Sequence, residues 1–284
     1  MKIIILLCFV FITSAFANET TLSCYYDQQK RVLNVFLDGE RYQQRINNYP
    51  GGICYTSENK EREYGLAAFF DGDQLIVFDV TTTSFQIERV KQYPRLNRPV
   101  VNDRLVAFFD DENLIVYDAK IGVFQKQSVN PSYSPLNLSI GKNYAALNLG
   151  QDLYLYSGTN QGFEVSNFRN NSLPQFLYSG DYFFALIIDR KLIVYQSLTD
   201  TYHQEMVGQI NNPINFVKSL DSMMIYTGDQ LIGFCISSNT FVKEYVLHQS
   251  SMAITNEDGF GNTMKIGDTF YTLDSESCTI NRYY

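Results

Sequence analysis

Residues 105–124 read LVAFFDDENLIVYDAKIGVF. An apolar run, Leu105 to Phe109, leads into a turn of Asp110, Asp111, Glu112 and Asn113. A second apolar run follows, Leu114-Ile115-Val116-Tyr117, and an aromatic residue, Phe124, stands ten positions after Leu114. Val, Ile, Phe and Tyr favour strands, and Asp and Asn suit tight hairpins. The stretch therefore reads as two antiparallel strands and the start of a third. Its second run is apolar at every position. A strand with one wet face alternates apolar and polar residues, so this one is predicted to be buried on both faces.

The stretch recurs. The first Leu of the run falls at Leu75, Leu114, Leu153, Leu192 and Leu231, each 39 residues after the last. The aromatic partner falls at Phe85, Phe124, Phe163, Tyr202 and Phe241. Leu33-Asn34-Val35-Phe36 is a weaker copy, with Tyr42 in the aromatic place. The chain closes on a partial copy, read as a second strand at 270–274 and a third at 278–283. Short innermost strands are predicted at 99–102, 137–140, 175–178 and 214–217. The fourth strand, 123–129, alternates as an outer edge strand does. A period near 40 with about four short strands per unit predicts an all-β fold, a β-propeller. The count is seven blades of about 39 residues. In the alternative, residues 21–26 are borrowed to complete the last unit, which leaves six blades and brings Cys24 beside Cys278.

These LIVYD-like strands, each followed by a turn and an aromatic strand, resemble β-propeller repeats of the WD40 and quinoprotein-like kind. The resemblance covers nearly the whole chain at the level of architecture. It departs from those families in having no Trp and no Gly-His pair opening the units. No functional residue carries over from it.

The chain of 284 residues opens with a targeting pattern: Lys2, an apolar run from Ile3 to Ala15, and the small-x-small triplet Ala15-Phe16-Ala17. The pattern predicts a signal peptide over residues 1–17, a single domain over 18–284, and an extracytoplasmic protein, periplasmic or secreted. The run is short for a spanning helix, and no later one is long enough, so no membrane span is expected after signal removal. The net charge of −8 argues against nucleic acid, whose phosphates reward Lys and Arg clusters. Cys24, Cys54, Cys235 and Cys278 remain after cleavage, an even number that suggests disulfides in an exported chain. Spacing leaves the pairing open, between a Cys24–Cys278 latch across the termini and a local Cys24–Cys54 bridge. Zinc fits poorly, since there is no C-x-x-C unit and only His203 and His248 remain to help.

No catalytic set stands out. There is no G-x-S-x-G, and two histidines give little for a nucleophile, base and orienter. Asp71, Asp73, Asp110, Asp111 and Glu112 are hard oxygen ligands, yet they stand where hairpins need Asp and lack an EF-hand spacing. No cofactor or metal is predicted. The repeated aromatics read as packing residues between blades. Asn18, Asn137 and Asn170 begin N-x-S/T sequons. Tyr93, Tyr133 and Tyr178 fall outside the repeat and are freer to meet a partner. The repeat fails chiefly at residues 51–64 and 250–262, and loops on a regular scaffold carry function. Tyr55, Lys60, Arg62, Asn256, Glu257 and Asp258 are accordingly the candidate partner-binding residues. The reading is an exported, non-catalytic binding or scaffold propeller for a protein partner. Its rival is a carbohydrate-binding or carboxylate-based glycoside-active enzyme with its site at the channel.

Overall fold

Seven antiparallel sheets follow one another along the chain in a computed structural model, which describes residues 21–46, 53–57, 64–91, 94, 98–130, 135–168, 175–188, 190–207, 215–246, 253–254 and 261–284. Every regular element among these residues is a strand. The third sheet shows the pattern. Val100–Val101 is its short innermost strand, followed outward by Leu105–Phe109, Asn113–Asp118 and Val123–Ser128. The second, fourth, fifth, sixth and seventh sheets repeat this four-stranded meander. The first has three strands, Leu22–Asp27, Val32–Leu37 and Glu40–Arg45, and no innermost strand among the described residues. Such a series of small meanders, packed face on face, is propeller-like.

The Leu-Ile-Val-Tyr run explains the stacking. Successive side chains of a strand point to opposite faces. Leu114 and Val116 point forward and pack with Ala145, Leu147, Tyr154 and Tyr156 of the following sheet. Ile115 and Tyr117 point backward and pack with Leu66, Ala68, Leu75 and Val77 of the preceding one. The same rule generates the other cores, and each core joins two consecutive sheets. Leu114, Ile115, Val116 and Tyr117 are all 0% exposed, as a strand covered on both sides must be.

The Asp that follows the run has two tasks. Asp118 Oδ1 accepts from the Lys120 amide and so shapes the turn. Its Oδ2 accepts from the hydroxyl of Tyr156 in the next sheet at 2.9 Å. Asp79 does the same one unit earlier, accepting from the Thr81 amide and from Tyr117 at 2.6 Å. Arg104 adds a two-pronged pair to Asp118, at 2.8 and 2.7 Å, and reaches Asn143 and the Gly158 carbonyl of the fourth sheet. A buried carboxylate held this way is fully partnered, which its burial requires.

Three expectations need correction. Residues 21–26 do not complete the last unit, because Leu22–Asp27 pairs with Val32–Leu37 in its own sheet. The last sheet has four strands, since Ala253–Ile254 lies innermost and the assumed second and third strands are its third and fourth. The two-residue turn at Asp38 and Gly39, both at positive φ, is shorter than the later turns. The residue opposite Phe36 therefore falls eight positions after Leu33, where the later units have ten, and a shift of two leaves the faces of the strand unchanged. Arg41 consequently stands opposite Phe36, while Tyr42 points forward onto Phe78 with ring centroids 4.9 Å apart.

The disulfides join Cys24 to Cys54 and Cys235 to Cys278, so the Cys24–Cys278 latch is overturned in favour of local bridges. One ties the first sheet to the start of the second, and the other ties the sixth to the seventh. The sixth and seventh also come unusually close. A Cβ on Gly233 would lie 2.8 Å from Leu273 Cδ1, at the position where the third sheet has Val116.

Tyr156→Phe should cost about 1–2 kcal/mol in urea unfolding by removing one buried hydrogen bond. Asp118→Ala should cost about 3–5 kcal/mol, because it strands the Arg104 guanidinium. Burial and the neighbouring carboxylates push the Tyr117 and Tyr156 phenols well above their ordinary range. The unfolded chain therefore ionises first. The contribution of these two phenols to stability should be level below about pH 10 and fall as pH rises past it, measured by denaturant midpoints across the alkaline range. A non-reducing digest should give Cys24–Cys54 and Cys235–Cys278 peptides and no Cys24–Cys278 peptide.

Candidate functional site

Face direction divides the seven sheets into two kinds. The second to the sixth have a neighbour on each side. The first has a backward face, and the seventh a forward face, that none of the six shared cores covers. Their sequences differ accordingly. In the seventh sheet Tyr271 and Leu273 point backward into the core at 2% and 1% exposure. Phe270 and Thr272 point the other way, with Phe270 41% exposed. Tyr283, opposite Phe270 on the outer strand, is 55% exposed, and the Lys265 ammonium lies 5.3 Å over the Phe270 ring. Thr263 and Thr272 hydrogen-bond across the same face.

The first sheet mirrors this on its backward side. Asn34 replaces the Ile found at that place in the third sheet, and Arg41 closes over it, donating to Asn34 Oδ1 at 2.8 and 2.6 Å. Asn34 is 0% exposed, and Val32, Arg41 and Gln43, which hydrogen-bond with it, belong to its own sheet. Tyr25 and Phe36 stack on this face at 5.9 Å, and Tyr25 is 48% exposed. Exposed aromatic rings on two sheet ends are the departure that matters, since surface apolar patches mark contact sites.

Charge follows the same order. On the outer strands a forward-facing Glu meets a backward-facing base of the next sheet: Glu88 with Lys126 at 2.9 Å, Glu205 with Lys243 at 2.8 Å, and Glu244 with Arg282. Hydrogen bonding to Lys243 holds the Glu205 carboxyl below its usual value. At the remaining three junctions both positions are uncharged: Gln44 and Ile87, Gln127 and Val165, Ser166 and Gln204. The corresponding positions on the two uncovered faces are Tyr283 and Gln43, again both uncharged.

Among the candidate residues, Tyr55 is half-buried in the innermost strand of the second sheet, paired with Ala68. Lys60, Arg62, Asn256, Glu257 and Asp258 lie outside the described residues, as do His248, Asn18, Asn170, Tyr93, Tyr133 and the targeting segment. Tyr178 packs on Phe183 at 4.9 Å, with the Lys218 ammonium 4.9 Å over its ring. Asn137 is in a strand and its sequon partner Ser139 is buried, which is poor placement for a glycan acceptor. His203 packs on Phe234 of the next sheet, and burial lowers its pKa. Asp110 is spent on its turn, where Oδ1 accepts from the Glu112 and Asn113 amides. No group of three or more His, Cys, Asp or Glu among the described residues could hold a metal ion.

Comparison with known proteins gives no family. No family model matches the chain, and no curated protein matches it. Solved structures give distant likenesses. Kluyveromyces lactis Hsv2 aligns at 11% identity and a TM-score of 0.39, over 80% of this chain and 75% of that one. A mitotic checkpoint complex chain aligns at 11% identity and 0.37, over 89% and 81%. Virginiamycin B lyase from Staphylococcus aureus aligns at 10% identity and 0.35, over 92% of each. Likenesses this distant carry no function across, and the propeller-like architecture rests on the sheets themselves.

Proposed function

We propose that this protein is an exported, non-catalytic binding module, a propeller-like scaffold of seven blades that holds a protein partner. The observation that carries the reading is the exposed aromatic surface of the end sheets: Phe270 and Tyr283 on one, Tyr25 on the other. On the internal sheets the residues at the places of Phe270 and Tyr25 are spent on the cores, as Leu114 and Phe108 are at 0% exposure, although Tyr245 at the edge of the sixth sheet is also 72% exposed. Tyr and Phe left outside that scheme suit a partner, because aromatic residues are favoured at interfaces. Two disulfides fit an oxidising compartment outside the cytoplasm. No helix among the described residues is long and apolar enough to cross a membrane.

Purified mature protein, cross-linked in extracytoplasmic extract, should capture a defined protein. The Phe270→Ala, Tyr283→Ala double variant should capture at least tenfold less. Capture that ignores the double variant overturns the reading. So does saturable binding on a glycan array with no protein captured, which favours the carbohydrate-directed rival.

A further inference from the structure

The two uncovered faces are of opposite kinds. One is a forward face and the other a backward face, and every junction inside the chain joins a forward face to a backward one. Their outer-strand positions also obey the charge rule of the internal junctions. Glu is matched by Lys or Arg, and an uncharged residue by an uncharged residue, with Tyr283 facing the Gln43 position, while each face also carries one cation away from that position, Lys265 forward and Arg41 backward. A forward Glu brought against Gln43 would break the rule, and so would a backward Lys brought against Tyr283. The aromatic content matches too, with Phe270 and Tyr283 on one face and the Tyr25–Phe36 stack on the other. Yet Phe270 and Tyr25 are 41% and 48% exposed, where Leu114 and Phe108 at the same places in the third sheet are 0% exposed, so the two faces do not cover each other within the folded chain.

We propose that the forward face of the seventh sheet docks on the backward face of the first sheet of a second copy of this chain, continuing the stack head to tail. This deepens the binding reading above and rests on it, naming the partner as the protein itself. Joining unlike faces is a heterologous contact. It leaves one free face of each kind after every addition, so assembly stops only if the rotation closes a ring. The interface is polar where Thr272 and Asn34 stand in place of aliphatic residues of internal junctions and Arg41 in place of an aromatic one. Assembly is therefore reversible and rises with concentration.

Sedimentation velocity over increasing concentration tests this on the mature chain. The wild type should pass from single-chain mass to species of three or more chains. Tyr25→Lys damages only the backward face and Phe270→Lys only the forward face, and each alone should remain a single chain. Mixed in equal amounts, they should form a two-chain species and nothing larger. Tyr283→Lys is a second forward-face variant, should Phe270→Lys prove unstable. Single-chain mass at every concentration overturns the proposal, and if that monomer still captures another protein through Phe270, the binding reading survives. Association that persists in both single variants, or a dimer formed by either alone, also overturns it, since that is contact between like faces.

Discussion

A sheet that is apolar on both faces has to be covered on both faces. The organisation of this protein follows from that requirement. Each Leu-Ile-Val-Tyr strand sends two side chains forward and two backward, so a single unit cannot shield itself from water. Burial at roughly 25 cal/mol per Å² of apolar surface rewards stacking, and each unit depends on its neighbours rather than on a common centre. At the second-to-third and third-to-fourth junctions a tyrosine-to-aspartate bond adds direction to that stacking. A phenol that is 0% exposed needs an acceptor; for Tyr117 and Tyr156 an Asp of the preceding sheet supplies it, and for Tyr195 it is Asp200 of its own sheet.

Much of this was legible in the sequence, because the constraint is written into every copy. The 39-residue spacing located the third strands, and their unbroken apolar character announced burial on both sides. The innermost strands predicted at 99–102, 137–140, 175–178 and 214–217 correspond to observed strands. The errors lie where a unit departs from the repeat. The turn at Asp38-Gly39, two residues shorter than its later counterparts, puts Arg41 in the aromatic position, and Tyr42, nine rather than ten residues after Leu33, faces forward. The last unit looked truncated because its innermost strand, Ala253–Ile254, is two residues long and sits in a stretch read as loop.

The candidate site was less legible, for a different reason. Irregular loops on a regular scaffold are where the sequence points for function, and Lys60, Arg62, Asn256, Glu257 and Asp258 lie outside the described residues. The end faces were missed because their signal is subtle: Asn34 in place of Ile, Thr272 in place of Val. Each is a single polar residue inside an apolar run. It acquires meaning only when the direction of every strand's faces is known. Disulfide pairing was undecidable for a related reason, since which units lie side by side is a property of the stack and not of cysteine spacing.

The placement of the two disulfides has a further consequence. A row of units that hold only their neighbours frays from its ends, where one junction rather than two retains each unit. In this chain those end junctions are the cross-linked ones, Cys24 to Cys54 and Cys235 to Cys278. Fraying is thereby suppressed where it is otherwise easiest, and the weakest seam moves inward, to junctions held without a covalent link. Reduction reverses that order, so a cell's thiol balance decides whether the molecule opens first at its tips or at its middle.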